Sequence, residues 1–215
     1  DPQNDGAWYY LGQCAIAKND PETAEQCYRM ASEIDPSNFW YRYRLARLYA
    51  VTSRAELTVD MYEKLLEDFP KKSDLYFDLV ELYGSQQEYE KALETLKEIE
   101  TVFGMTESIA VYRFNLLRML NRQEEAFQSL QDYNKEYSSP FILATLADYE
   151  MAMYNDSTAL AYYDEALELA PDYSPALLGK AEALRMTRRY EEYFNVLDKY
   201  IVTEDTPAGA KGDYL

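Results

Sequence analysis

The sequence predicts an all-α protein built as a linear array of paired helices, and three observations carry that prediction. Marker residues recur every 34 positions, with one step of 33. Helix-starting punctuation of the Asn-Asp-Pro kind falls between the apolar periodic stretches. Of 215 residues 47% are hydrophobic while only 7 are Gly and 8 Pro, which supplies core material and leaves little for long loops. Searching for self-similarity precedes any count of domains, because a repeat array builds no closed core.

The punctuation fixes the elements. Asn19-Asp20-Pro21 ends one helix and opens the next, with Asp20 as N-cap and Pro21 in the first helical position. Asn155-Asp156 and Asp35-Pro36-Ser37-Asn38 read the same way. Helices are expected over 7–18, 21–34, 39–52, 55–69, 73–86, 89–103, 107–120, 123–136, 140–154, 157–170, 174–187 and 190–203. They group into repeats at 5–38, 39–72, 73–106, 107–139, 140–173 and 174–205, with 1–4 ending a preceding repeat and 206–215 a tail or the start of another. Asp1-Pro2-Gln3-Asn4 matches Asp35-Pro36-Ser37-Asn38 at a distance of 34, so a fragment of a longer array is expected, with exposed apolar faces at its ends driving end-to-end self-association.

The marks themselves are specific. Trp8, Leu11 and Gly12, then Ala24, Tyr28, Ala31 and Pro36, stand at the spacings W-x2-L-G, A-x3-F/Y-x2-A and a closing Pro. Leu45-Ala46, Leu79-Val80 and Leu146-Ala147 repeat the first set, and Ala92, Ala126 and Ala159 with their followers repeat the second. The chain resembles the tetratricopeptide repeat family over nearly its whole length. Departures are Arg42 for the usual Trp and Thr58 for Ala in the second repeat, Arg113-Phe114 in the fourth, and Lys180-Ala181 with Tyr193 in the sixth. Looser packing is expected there. A small residue in each helix of a pair lets the backbones approach while larger ones fill the space beside them, Gly12 with Ala24 being the clearest case.

Composition restricts function. The formal charge of −18 repels phosphate backbones and anionic lipid, so neither nucleic acid nor a membrane is an expected partner. No apolar run reaches the ~18 residues that span a bilayer. The absence of His removes the usual base near neutral pH and the commonest metal ligand. Cys14 and Cys27 are read as small core residues, a disulfide between them being the lesser alternative. Glu124-Glu125 and Glu191-Glu192 sit at helix starts, where acids favour the dipole, and so are structural. The 22 Tyr fall largely at periodic places such as Tyr28, Tyr49, Tyr62, Tyr83 and Tyr163 and are mostly core. No phosphate loop, metal cluster or catalytic triad appears, so neither an enzyme nor a cofactor is expected.

The resemblance implies a right-handed superhelix whose concave wall is lined by the first helix of each repeat and binds a protein or peptide. Its groove-facing sites map here to Tyr9 and Gln13, then Trp40, Tyr43, Arg44 and Arg47, then Asp74, Phe77, Asp78 and Glu81. Val111, Tyr112, Asn115 and Arg118 follow, then Phe141, Thr145 and Asp148, then Leu178, Glu182 and Arg185. Trp40, Tyr43, Arg44 and Arg47 form a basic aromatic cluster in an acidic chain, of a composition suited to carboxylates or aromatic groups on a partner. The alternative is that these arginines pair with Asp74, Asp78 and Glu81 of the next repeat. The Lys and Asn clamp by which chaperone-binding members hold a C-terminal carboxylate is not reproduced by Tyr9, Gln13, Arg44, Asp74 and Asp78. The related pentatricopeptide mode of reading RNA requires a basic inner face, which is absent. The expected function is a protein-binding scaffold; the alternative is the sensory or docking region of a multidomain protein whose effector domain lies elsewhere.

Overall fold

A computed structural model describes residues 2–202. Among them are twelve α-helices: α1 (Asp5–Ala17), α2 (Pro21–Ile34), α3 (Phe39–Val51), α4 (Ala55–Asp68), α5 (Ser73–Ser85), α6 (Tyr89–Phe103), α7 (Glu107–Met119), α8 (Gln123–Tyr137), α9 (Pro140–Ala152), α10 (Asp156–Leu169), α11 (Ser174–Met186) and α12 (Tyr190–Val202). Each expected helix is present with described ends within two residues. The expectation for 206–215 lies outside the described residues. The chain divides into two compact units, Asp1–Gly104 and Met105–Leu215. Within the first, α1 to α6 pack consecutively, and within the second α7 to α12 do the same, with α9 also meeting α11.

Side-chain caps start α1, α2, α3, α7 and α9. Asn4 Oδ1 accepts from the Ala7 amide at 2.8 Å, Asp20 Oδ1 from that of Thr23 at 3.1 Å and Asn38 Oδ1 from that of Trp40 at 3.1 Å. The hydrogen bonds hold the Asp20 carboxyl below its ordinary value. One cap corrects the sequence reading: α10 starts at Asp156, so its N-cap is Asn155, whose amide donates to Glu150 Oε2 at 2.7 Å instead of capping.

The turn inside each hairpin is one device used six times among the described residues. Asn19, Ser53, Gln87, Asn121, Tyr154 and Arg188 all have φ between 58° and 62° and stand 34 apart except for one step of 33. The next residue's amide then reaches a carbonyl five residues back, as from Asp20 to Ala15 at 3.0 Å or Asn155 to Glu150 at 2.9 Å. This left-handed residue with a long back-bond closes the first helix and turns the chain.

Small residues then let the pair close. Ala24, Thr58, Ala92, Ala126 and Ala159, in the first turn of five of the six described second helices, are all 0% exposed, while α12 has the half-buried Tyr193 at that place. A Cβ on Gly12 would lie 2.6 Å from Cε1 of the buried Tyr28 ring, one turn past Ala24. In the second unit Gly179 makes the same allowance for Tyr163, whose ring atoms would stand 2.5 Å from an added Cβ and whose hydroxyl donates to Asp148. Tyr28, Tyr49, Tyr62, Tyr83 and Tyr163 are all buried, as their spacing requires.

In the second repeat, local bonds accommodate both departures from the pattern. Thr58 sends its hydroxyl to the Arg54 carbonyl at 3.0 Å, so a polar side chain fills an Ala seat without an unpaired group. Arg42, in the Trp seat, pairs with Asp68 and donates to the Lys64 carbonyl at 3.1 Å. Cys27 is buried but Cys14 is exposed, a correction with a plain cause: the equivalent Leu48 of α3 is covered by a preceding second helix, and no described helix precedes α1. Both thiols are free.

Gly12→Ala is expected to lower stability by about 1–3 kcal/mol, because the buried ring cannot move aside cheaply. Gly84→Ala, where an added Cβ meets nothing within 4 Å, is expected to raise it by about 0.5 kcal/mol. Denaturant midpoints at constant slope check both.

Candidate functional site

The expected groove residues divide between the two units. In the first, α3 begins Phe39-Trp40, and helical periodicity sets Phe39 and Tyr43 one turn apart, so that their rings stack at 5.3 Å with 15° between planes. Phe39 also meets Phe69 edge-on at 5.3 Å, and Trp40 meets Tyr43 edge-on at 6.0 Å. Lys72, in the loop before α5, places its ammonium 4.8 Å from the Phe39 centroid and 5.9 Å from that of Trp40. Trp40 remains 51% exposed. Aromatic faces so arranged hold cations and leave the indole surface open.

Tyr43 is the joint between α3 and α5. Its hydroxyl donates to Asp78 Oδ2 at 2.9 Å and accepts from Arg47 Nη1 at 3.5 Å, while the Arg47 guanidinium lies 5.9 Å from its ring centroid. Burial pushes the Tyr43 phenol up, and the same cause raises Tyr62 alongside. Burial also raises the Asp78 carboxyl above its ordinary 3.8; Tyr43 and Arg47 oppose the shift, and Glu81 and Asp74 add to it.

Among the described residues no salt bridge joins Arg44 or Arg47 to Asp74 or Asp78; the link from Arg47 runs through Tyr43. Arg44 is exposed and near enough to Tyr28 to lower its phenol against the rise that burial causes. Asp74 and Glu81 are exposed and Phe77 is half-buried. Tyr9 is half-buried between Tyr28 and Tyr41, at 6.0 and 5.1 Å, so it belongs as much to the core as to the surface, and Gln13 beside it is half-buried too.

In the second unit Asn115 and Arg118 are exposed on α7, with Arg118 5.4 Å from the Phe114 centroid, and Tyr112 and Val111 are half-buried. Phe141 is exposed, Thr145 sends its hydroxyl to the Phe141 carbonyl at 2.8 Å, and Glu182 pairs with Arg185 one turn on. Leu178 packs against the core and Asp148 accepts from Tyr163. Phe39 and Lys72 escaped the sequence reading. The i,i+4 spacing of Phe39 and Tyr43 signalled the first, whereas nothing local marks a loop lysine as an aromatic partner.

Among the described residues no group of His, Cys, Asp and Glu is placed to hold a metal, and no helix is long and apolar enough to cross a membrane.

Tetratricopeptide repeat models match residues 6–38 and 145–206. The chain is 30% identical over 91 residues to the cellulose synthase operon protein C of Pseudomonas fluorescens, covering 42% of this chain and 7% of that protein. It is 24% identical over 178 residues to the human protein O-mannosyl-transferase TMTC1, covering 80% and 20% respectively. The chain therefore spans a small part of these relatives. Among solved structures, a tetratricopeptide repeat protein of Parabacteroides merdae aligns with a TM-score of 0.61 at 16% identity, over 95% of this chain and 81% of that one. A thermophilic one of Thermus thermophilus aligns at 0.51 and 23% identity, over 84% and 99%. These likenesses show the fold.

The Asp78 shift has a defined sign. The folded chain holds this proton more tightly than the unfolded one, so stability falls as pH rises from the ordinary carboxylate value through the folded one. Asp78→Asn, which keeps an acceptor for Tyr43, is expected to flatten that fall. Melting temperatures of both chains across the range from about pH 4 to about pH 7 check this, with the variant gaining on the parent as pH rises.

Proposed function

The chain belongs to the tetratricopeptide repeat family, and on that premise we propose that it holds a partner protein or peptide against the face of its first helices. Arrays of this family are protein–protein interaction scaffolds. The reading for this chain names Trp40, Tyr43, Arg44 and Arg47 as the centre of the contact, with Asp74, Phe77, Asp78 and Glu81 beside them.

One observation carries it. In a chain with a net charge of −18, Arg44 and Arg47 are exposed without a salt bridge to Asp74 or Asp78, next to an indole left half open. Arginine and tryptophan in such a setting supply much of the free energy of protein contacts, and a partner carboxylate gains charge-assisted bonds from a fork-shaped donor. Tyr43, held by Phe39 and Asp78, fixes the neighbouring Arg47 without neutralising it. On the second unit, taken by itself, Tyr112, Asn115 and Arg118 are the corresponding candidates.

A second reading, the docking region of a larger multidomain protein, draws on the small share of its relatives that the chain spans, 7% of one and 20% of another. The full-length reading frame decides it.

Arg44→Glu with Arg47→Glu is expected to cut partner capture by the full-length protein at least tenfold, while the melting temperature changes by less than about 3 °C. Quantified pull-down beside thermal unfolding makes the check. A large loss of stability would instead assign these arginines to holding the array together.

A further inference from the structure

The second helices of the first unit carry another surface. Glu63 and Glu67 of α4 stand four residues apart, as do Glu94 and Glu98 of α6, so each pair forms a row on one helix face. The two rows border a single groove of about 590 Å³. Its floor is α5, where Tyr76, Leu79 and Tyr83 recur at helical spacing, and Leu66 completes an apolar base.

Among the described residues none of the four carboxylates is in a salt bridge. The one cation on the lining, Lys91, pairs with Glu88, lies 5.4 Å from the Tyr83 centroid and also feels Glu63 and Glu94, a single positive charge against four carboxylates. Tyr83 donates to Glu63 Oε1 at 2.9 Å, which draws that carboxylate towards the floor. The groove's potential is legible in its phenols. Tyr83 is pushed up to about 12, by burial first and then by Glu63, with Glu88 and Glu98 adding. Tyr76 is raised by burial and by Glu98.

Acidity here is not a general property of grooves between second helices. The corresponding groove of the second unit, about 310 Å³ between α10 and α12, sets Lys180 and Lys199 against Asp164 and Glu168, and Lys180 pairs with Asp164. There the charges balance; in the first unit they do not.

Like charges at i,i+4 spacing repel, twice over in this groove, and a cation lying between the rows turns that repulsion into attraction. A bare ion would leave the apolar floor unused. An arginine or lysine side chain meets both demands, laying its methylene stem along the half-buried Leu66 and setting its charged head between the glutamates. We propose that the groove between α4 and α6 docks an arginine- or lysine-bearing segment of a partner protein. This surface is distinct from the Arg44 face and does not rest on it.

The probe is a fluorescein-labelled peptide alternating arginine and leucine, titrated against the intact chain by anisotropy, with a glutamate-leucine peptide as the blank. Glu94→Gln with Glu98→Gln is expected to weaken binding about tenfold. Glu124→Gln with Glu165→Gln makes the same change in net charge on exposed helix faces elsewhere and is expected to leave the affinity within about twofold. Both variants should keep the parent's helical circular dichroism. Equal losses in the two variants would reduce the effect to the general field of an acidic chain and overturn the site. So would retained affinity in the groove variant, absence of binding, or binding of free spermine without the peptide. The Arg44→Glu/Arg47→Glu chain is expected to take the peptide undiminished, so that the two surfaces stand or fall separately.

Discussion

The structure depends on a turn that reaches back five residues. At each of the six places one residue adopts a left-handed backbone, and the next amide bonds a carbonyl deep in the first helix. That closure fixes where the second helix begins and hence which of its residues faces the first. At five of these places the side chain then arriving at the closest approach is Ala24, Thr58, Ala92, Ala126 or Ala159, each at zero exposure, while α12 sets the larger Tyr193 there, half-buried. The tyrosine one turn on, where there is one, fills the space that the small residue leaves. Turn, small residue and ring are one constraint expressed at three positions.

This constraint explains which parts of the fold the sequence revealed. Helix starts were legible because Asp20-Pro21 and Asn38 are chemical caps whose function needs no tertiary context. The period was legible because closest-approach residues must recur. The left-handed turn positions were not, since none of Asn19, Ser53, Gln87, Asn121, Tyr154 and Arg188 is the glycine that usually marks such a backbone. Tertiary closure imposes the conformation there whatever the side chain. Asn155 shows the same limit: its amide finds Glu150, a partner that local sequence rules do not anticipate.

The candidate site divides along similar lines. Its candidate residues come from first-helix spacing, and Arg44 and Arg47 among them are exposed. The bridge from Arg47 through Tyr43 to Asp78 could not be read there, because it depends on Phe39 holding the Tyr43 ring by stacking and on the burial of a carboxylate. One of the two alternatives open from the sequence paired arginine directly with acid. The molecule interposes a phenol, which satisfies the acid and leaves the guanidinium its charge and its access to solvent.

That choice of phenol recurs in the interior and has a consequence of its own. Tyr41 and Tyr83 are pushed up to about 12, and Tyr62 and Tyr163 are raised further, burial being the leading cause in each. In the unfolded chain these same hydroxyls release their protons near the ordinary value of 10. Alkali therefore favours the open chain, and each buried ring adds to the preference as the solution passes that value. The upper limit of tolerated alkalinity is thus written first into the packed interior, with neighbouring acids such as Asp5 at Tyr41 and Glu63 at Tyr83 adding to the effect.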